Sequence, residues 1–225
     1  MPIIKADSAL VYFAHVPKCG GTAVSNHLAA RFGALAFRDQ KFLAKDGLAR
    51  WTRSSPQHVD VTSLQRLFPE GFFDLIFAVV RHPVERAISV YHFQSDIQET
   101  ISPDIMFSQW LAEVPEQLRD HPFHHDNHHR PMVDFVPPAA QVFRLEDGMA
   151  KVDDWLTQQF GRKDGLADIG TANVRSERKQ SIRSQRPRTV ATAADIAIIE
   201  ETYAADYARF GYALQAAIGD QGADD

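Results

Sequence analysis

The sequence predicts an α/β fold: a single domain over residues 1–225, with a central parallel sheet flanked by helices. Two observations carry this. An apolar run from Leu10 to His15 and a nearly continuous one from Phe72 to Val80 are each followed by a turn and a segment of helical periodicity, the strand–turn–helix order of an open α/β sheet. The second run is rich in Phe, Ile and Val without polar alternation, as a parallel strand covered on both faces requires. No internal repeat or shift in composition marks a second domain.

Val24, Leu28 and Phe32 recur at helical spacing and predict a helix over Gly21–Phe32. Ala34 to Phe37 reads as a short strand, and 41–53 as a loop with a helical turn. Val61 to Phe68 predicts a short helix closed by Pro69, because proline disfavours helical geometry in the residue before it. Pro83 opens the next helix, which runs to about Phe93, since its missing N–H would be unpaired at the first helical position anyway. A helix near Ile105 to Glu113, a loop rich in Pro and His to Pro138, a strand over Gln141–Leu145 and a helix over Met149–Phe160 follow.

Residues 161–188 are polar and basic without a period and read as a long loop. Thr192 caps the last helix, with Asp195 three residues on. Ile196, Ile199, Tyr203, Tyr207 and Phe210 mark one face of it, expected to dock on the sheet. Gly211 is the expected stop, and 219–225 a frayed acidic tail.

Composition narrows the function. A formal net charge of −5 argues against broad nucleic-acid binding but leaves room for a local basic site. The single cysteine rules out an intramolecular disulfide, and no apolar run approaches the ~20 residues needed to span a bilayer. The first residues lack the pattern of a signal peptide, so a reducing, cytoplasmic setting without membrane association is expected. No heptad pattern specifies an oligomeric state.

The densest chemistry lies in Val11-Tyr12-Phe13-Ala14-His15-Val16-Pro17-Lys18-Cys19-Gly20-Gly21-Thr22-Ala23-Val24, which reads as a buried strand, a tight Lys/Gly turn and a helix start. Such a junction cradles a phosphate on backbone N–H groups at a helix N-terminus. Gly20 and Gly21 let the backbone close on the anion, Thr22 supplies a hydroxyl and Lys18 neutralises charge. Lys18 precedes the glycines, which excludes the common G-x-x-x-x-G-K-[ST] loop. Against this stands the bland reading of Gly-Gly as a turn and Lys18 as a solvated charge.

A second strand–helix junction carries Arg81, His82, Pro83, Arg86 and Ser89. From Pro83 to Ser89 a helix rises only about 9 Å, so side chains from the two ends of this segment are close enough to meet. Glu85 and Arg86 are expected at the surface, as charged residues mostly are.

Pro17-Lys18-Cys19-Gly20-Gly21-Thr22 after an apolar strand resembles the 5′-phosphosulfate loop of the sulfotransferases that use 3′-phosphoadenosine 5′-phosphosulfate (PAPS). The likeness is to the carbohydrate branch, of the uronyl, heparan and chondroitin type, where Thr or Ser is usual at the place of Cys19. Val79 to Tyr91 resembles the 3′-phosphate signature of the same family, with its arginine at Arg81 and its serine at Ser89. Weaker likenesses extend to Gln141–Asp147 and Tyr203–Tyr212.

The resemblance implies a P-loop-like sandwich, PAPS as co-substrate and 3′-phosphoadenosine 5′-phosphate (PAP) as product. It implies that Lys18, Cys19, Gly20, Gly21, Thr22 and Ala23 bind the 5′ end and Arg81 and Ser89 the 3′-phosphate, with Lys18 also stabilising the departing charge. The acceptor would be a hydroxyl, on a carbohydrate first and on a small metabolite second.

Transfer to a hydroxyl needs a base, and histidine suits that task near neutral pH. Gln57-His58 resembles a Gly-His segment that lies between the two phosphate motifs in uronyl-type enzymes, with Gln57 in place of the Gly. His128 to Pro131 resembles an acceptor-side His-x-Arg-Pro element, which makes His128 the other catalytic candidate. Residues 121–129 hold five histidines, a composition that also fits metal binding, although regular ligand spacing is missing and the chemistry requires no metal. The basic segment 175–188 could close over PAPS, grip an anionic acceptor or be a solvated loop. The competing readings are a nucleotide-dependent phosphotransferase, which would depend on Mg²⁺, and a non-catalytic module that binds PAP or, through its histidines, metal.

Overall fold

The computed structural model describes residues 2–6, 9–39, 41–50, 52–170 and 189–214. Its strands are β1 Ile3–Ala6, β2 Ala9–Ala14, β3 Leu75–Val80 and β4 Gln141–Arg144. Its helices are α1 Gly21–Phe32, α2 Val61–Leu67, α3 Pro83–Asp96, α4 Phe107–Asp120, α5 Ala150–Phe160, α6 Ala193–Thr202 and α7 Ala204–Phe210. The chain divides into two compact units, Met1–Arg81 with Asp134–Val174 and His82–Val133 with Arg175–Asp225.

The first unit holds the sheet, in the order β1-β2-β3-β4. β2, β3 and β4 run parallel, with Phe13 opposite Phe77 and Ala78 opposite Val142, while β1 pairs antiparallel to β2. The predicted α/β class with a parallel sheet is therefore present. Side chains alternate along a strand, so Val11 and Phe13 share a face with Phe77 and Val79. That face is buried beneath Val24 and Leu28 of α1 and Val152 and Leu156 of α5. Tyr12, Ala14, Ala78 and Val80, on the opposite face, are buried as well, which explains the lack of polar alternation.

β1 goes beyond the sequence expectation, and it reshapes another part of it. Ile3 pairs with Ala36 through two backbone hydrogen bonds of 3.1 and 3.0 Å, so the strand expected over Ala34–Phe37 is a single bridge. α2 is capped by Asp60, whose carboxylate accepts from the Ser63 amide at 3.0 Å. It ends at Leu67, and Phe68 before Pro69 is extended.

The second unit is helical. Val84, Val90 and Tyr91 of α3 pack with Trp110, Leu111 and Val114 of α4 and with Ile199, Tyr203 and Tyr207 near the C-terminus. α4 continues to Asp120 through Pro115, beyond the expected Glu113, at the loss of one backbone hydrogen bond. The box at Thr192 forms as expected: the Asp195 amide donates to Thr192 Oγ1 at 3.2 Å and the Thr192 amide to Asp195 Oδ2 at 2.8 Å.

Two corrections follow for the last helix. It is broken at Tyr203 (φ −113°, ψ 25°) into α6 and α7, and its apolar face packs with α3 and α4, where docking on the sheet was expected. Asp195 adds a tie to α4, accepting from Ser108 Oγ at 3.0 Å.

Candidate active site

The first unit brings its functional residues to the carboxyl ends of the parallel strands, where open α/β sheets bind ligands. β2 ends at Ala14, and the chain turns through residues 15–20 into α1. The Val16 amide donates to Ala14 O at 3.0 Å and the Cys19 amide to Val16 O at 3.4 Å. Lys18 (φ 66°) and Gly20 (φ 78°) are both left-handed. Glycine adopts this freely, whereas Lys18 holds a conformation that costs a side-chain-bearing residue about 1–3 kcal/mol.

Gly20 is the N-cap of α1, and its carbonyl accepts from Ala23 at 3.0 Å and Val24 at 3.3 Å. No side chain caps this helix, and its first turn has no acidic residue. The leading amides of Gly21 and Thr22 therefore lack a partner within the helix and sit at the positive end of its dipole. The left-handed φ of Gly20 favours glycine, and a Cβ there would lie 2.3 Å from Met149 Cε, the end of a flexible side chain that would have to shift. Thr22 is exposed and Lys18 half-buried. Cys19 is buried, its thiol donating to Pro17 O at 3.6 Å, and Ala23 is buried with its amide already used on Gly20.

His58 joins this loop from a distant part of the chain. It closes a 3₁₀ turn, Pro56–His58, held by its amide on Ser55 O at 2.9 Å and by Ser54 Oγ on its carbonyl at 3.3 Å. Gln57 bonds both backbone groups of Asp39, which fixes the turn from its other side. Nδ1 of His58 lies 3.1 Å from the carbonyl oxygen of His15, and the two rings meet edge-on at 4.8 Å. A carbonyl can only accept, so Nδ1 carries the proton and the lone pair of the neutral ring is on Nε2.

The neighbouring strands end nearby in the register. Ala14 of β2 pairs with Ala78 of β3, and Val80 pairs with Arg144 of β4. Arg81 leaves β3 half-buried, and Leu145 and Met149 follow β4 onto Gly20. The first unit therefore assembles Lys18, Gly20, Gly21, Thr22, His58 and Arg81 beyond the carboxyl ends of the central strands β2 and β3.

Ser89 and His128 belong to the second unit. Ser89 is half-buried on α3. Arg86, expected at the surface, is instead buried: Nη2 donates to the carbonyls of His128 at 3.0 Å and Arg130 at 2.8 Å. Backbone acceptors satisfy the guanidinium in place of water, which the type of residue alone did not reveal. Tyr203 Oη donates to His129 O at 2.9 Å, and Asp206 accepts from the amides of Met132 and Val133 at 2.8 Å each. The histidine-rich loop is thus tied down at five consecutive or nearly consecutive backbone positions.

Within that loop His125, Asp126 and Asn127 are all left-handed, with φ of 48°, 55° and 64°. His128 is buried, stacked on Phe93 at 5.1 Å, and its Nδ1 donates to His125 O at 2.7 Å. Gln94 lies 2.9 Å from Nε2 of His129 and accepts from Trp110 Nε1 at 3.1 Å. Burial pushes the pKa of His129 down to about 2, with His125 and His128 adding to the shift, and burial with the neighbouring His124 lowers that of His125 to about 4. Among the described residues no group of three or more His, Cys, Asp or Glu is placed to hold a metal ion. The basic segment 175–188 lies outside the described residues.

His15 is the site residue to which the sequence assigns no role of its own. It ended an apolar run and so counted as part of the strand, although its place two residues before Pro17-Lys18 puts it at the mouth of the loop.

No helix among the described residues is long and apolar enough to cross a membrane. No curated protein and no solved structure matches the chain. A model of the sulfotransferase family matches residues 2–213, which takes in the loop before α1, His58, the Arg81 junction and the histidine-rich loop. With its parallel sheet, its uncapped glycine-led helix and this match over nearly its whole length, the chain belongs to the sulfotransferase family.

Proposed function

We propose that this protein transfers a sulfuryl group from PAPS to an acceptor hydroxyl, with a carbohydrate as the acceptor and His58 as the base. The observation that carries the reading is the bond from His58 Nδ1–H to the carbonyl of His15, at the mouth of the phosphate loop. It leaves Nε2 free of a proton and so able to take one from a hydroxyl.

The amides of Gly21 and Thr22, the Thr22 hydroxyl and the Lys18 ammonium bind the 5′-phosphosulfate, as expected at an uncapped helix start. In the reaction the acceptor oxygen forms a bond to sulfur while the bond from sulfur to the bridging phosphate oxygen breaks. His58 Nε2 takes the hydroxyl proton, and Lys18 stabilises the negative charge that develops on the leaving phosphate. Arg81 and Ser89 carry the 3′-phosphate motif, in which Arg supplies a planar fork of donors and Ser a neutral one. His128 serves the acceptor, a reading supported by the built loop that fixes its ring. Carbohydrate is favoured as acceptor by the branch that the two phosphate motifs resemble.

Calorimetry of PAP with EDTA present tests the donor assignment. Binding without metal is the expected result, and absence of binding removes PAPS as donor. Sulfate transfer from labelled PAPS to pooled glycans and hydroxylated metabolites then identifies the acceptor.

A further inference from the structure

We infer that the imidazole of His15 is a positioning residue that couples the start of α1 to the orientation of His58. The inference rests on the reading of His58 as the base. The ring lies directly over Gly21: a Cβ built there would be 1.9 Å from Nε2 and 2.0 Å from Cδ2 of His15. Gly21, unlike Gly20, is not in the left-handed region, so the backbone alone does not demand glycine at this position. The His15 ring does.

Two further contacts hold the ring. It stacks on Phe13 at 5.5 Å, a residue buried in the sheet core, and meets the His58 ring edge-on at 4.8 Å. The carbonyl of the same residue accepts from His58 Nδ1 at 3.1 Å. One residue therefore touches the end of α1 that offers donor amides and, through both backbone and ring, the base. A side chain at position 21 has no room unless the ring moves, and moving it disturbs either packed Phe13 or His58. The pair His15 and Gly21 thus sets how the lone pair of His58 is held relative to the donor loop, a relation that in-line transfer depends on.

The test is a double-variant cycle read in two independent ways. Gly21→Ala is expected to weaken PAP binding about tenfold or more, the scale on which overpacking acts. The same substitution in a His15→Ala background should add little, because the space it needs is already open. Separately, ¹⁵N imidazole spectra of the ligand-free protein report the tautomer of His58. His15→Ala keeps the carbonyl that accepts from Nδ1 but removes the ring that meets His58 edge-on, so the Nδ1–H form should persist while its ¹⁵N signals shift from those of the parent, a change that loss of stability alone would not produce. Equal loss of PAP affinity from Gly21→Ala in both backgrounds, or His58 spectra of His15→Ala identical to those of the parent, would overturn the inference. Should the parent itself not bind PAP, the donor reading fails while the His58 spectra still decide the coupling. If Gly21→Ala does not fold, the His15→Ala spectra decide it alone.

Discussion

The guanidinium of Arg86 donates to the backbone carbonyl of Arg130 at 2.8 Å, so that one cation fixes the chain that carries the other. A second bond from the same nitrogen reaches His128 O at 3.0 Å. Arg86→Ala leaves both carbonyls without this donor in a buried setting, and the expected loss is about 2–4 kcal/mol of unfolding free energy. Urea denaturation measures it. Arg86→Lys should recover part of the loss, because an ammonium can still donate but lacks the fork. A fully stable Arg86→Ala protein would show that the loop does not depend on this anchor.

The histidine-rich loop also predicts a pH dependence. Burial holds His129 at about 2 and His125 at about 4, both below the ordinary value of about 6.5 that they regain on unfolding. The unfolded chain therefore binds more protons, and stability falls as pH drops. The contribution is complete above about pH 6.5 and is lost progressively below it, at about 1.4 kcal/mol per pH unit for His129. His125, more exposed, adds in the same direction. Melting followed from pH 7.5 to pH 5 should show the decline, and His129→Gln should flatten it. A flat profile in the parent would contradict the buried neutral state of these rings.

Much of the fold was legible because local chemistry and tertiary structure agree. The apolar runs of β2 and β3, Pro83 at the start of α3 and Thr192 with Asp195 at the start of α6 each act within a few residues. β1 was not legible: four residues with one exposed Lys give no periodicity, and their pairing to β2 and Ala36 supplies the order. The break at Tyr203 has no Gly or Pro to announce it. At the site, the turn between β2 and α1 could be read because its residues are consecutive. The bond between His58 and His15 could not, because 43 positions separate them. Arg86 misled for a related reason, since its acceptors are carbonyls of a loop more than 40 positions away.

Lys18 separates binding from chemistry at the loop. Its proposed contact strengthens as charge builds on the leaving group, so Lys18→Ala should lower turnover at saturating PAPS by more than it lowers PAP affinity. The backbone amides of α1 remain and should retain part of the binding. Arg81→Ala should behave in the opposite way, weakening PAP while turnover at saturation changes less. Single-turnover rates set beside calorimetric affinities distinguish the two. Unchanged turnover in Lys18→Ala would remove that residue from the transition state.

His58 and His128 both present an imidazole whose Nδ1 donates to a backbone carbonyl, and so both have Nε2 as the acceptor. Tautomer therefore does not choose between them as the base, and the reading of His58 rests on its tie to the loop before α1. The acceptor of His58 Nδ1 is His15 at the phosphate loop, whereas that of His128 is His125 in its own loop. His58→Ala should therefore lose roughly 10²–10⁴-fold in turnover, the range for general acid–base catalysis, while PAP affinity is retained. His128→Ala should act mainly on the KM for the acceptor, as a group that binds ground and transition states alike does. Thermal melts of both variants are needed alongside, because His128 is stacked on Phe93 and its removal also opens a buried gap. If turnover collapses in a folded His128→Ala protein and survives in His58→Ala, the base is His128, and the bond between His58 and His15 serves the architecture of the loop instead.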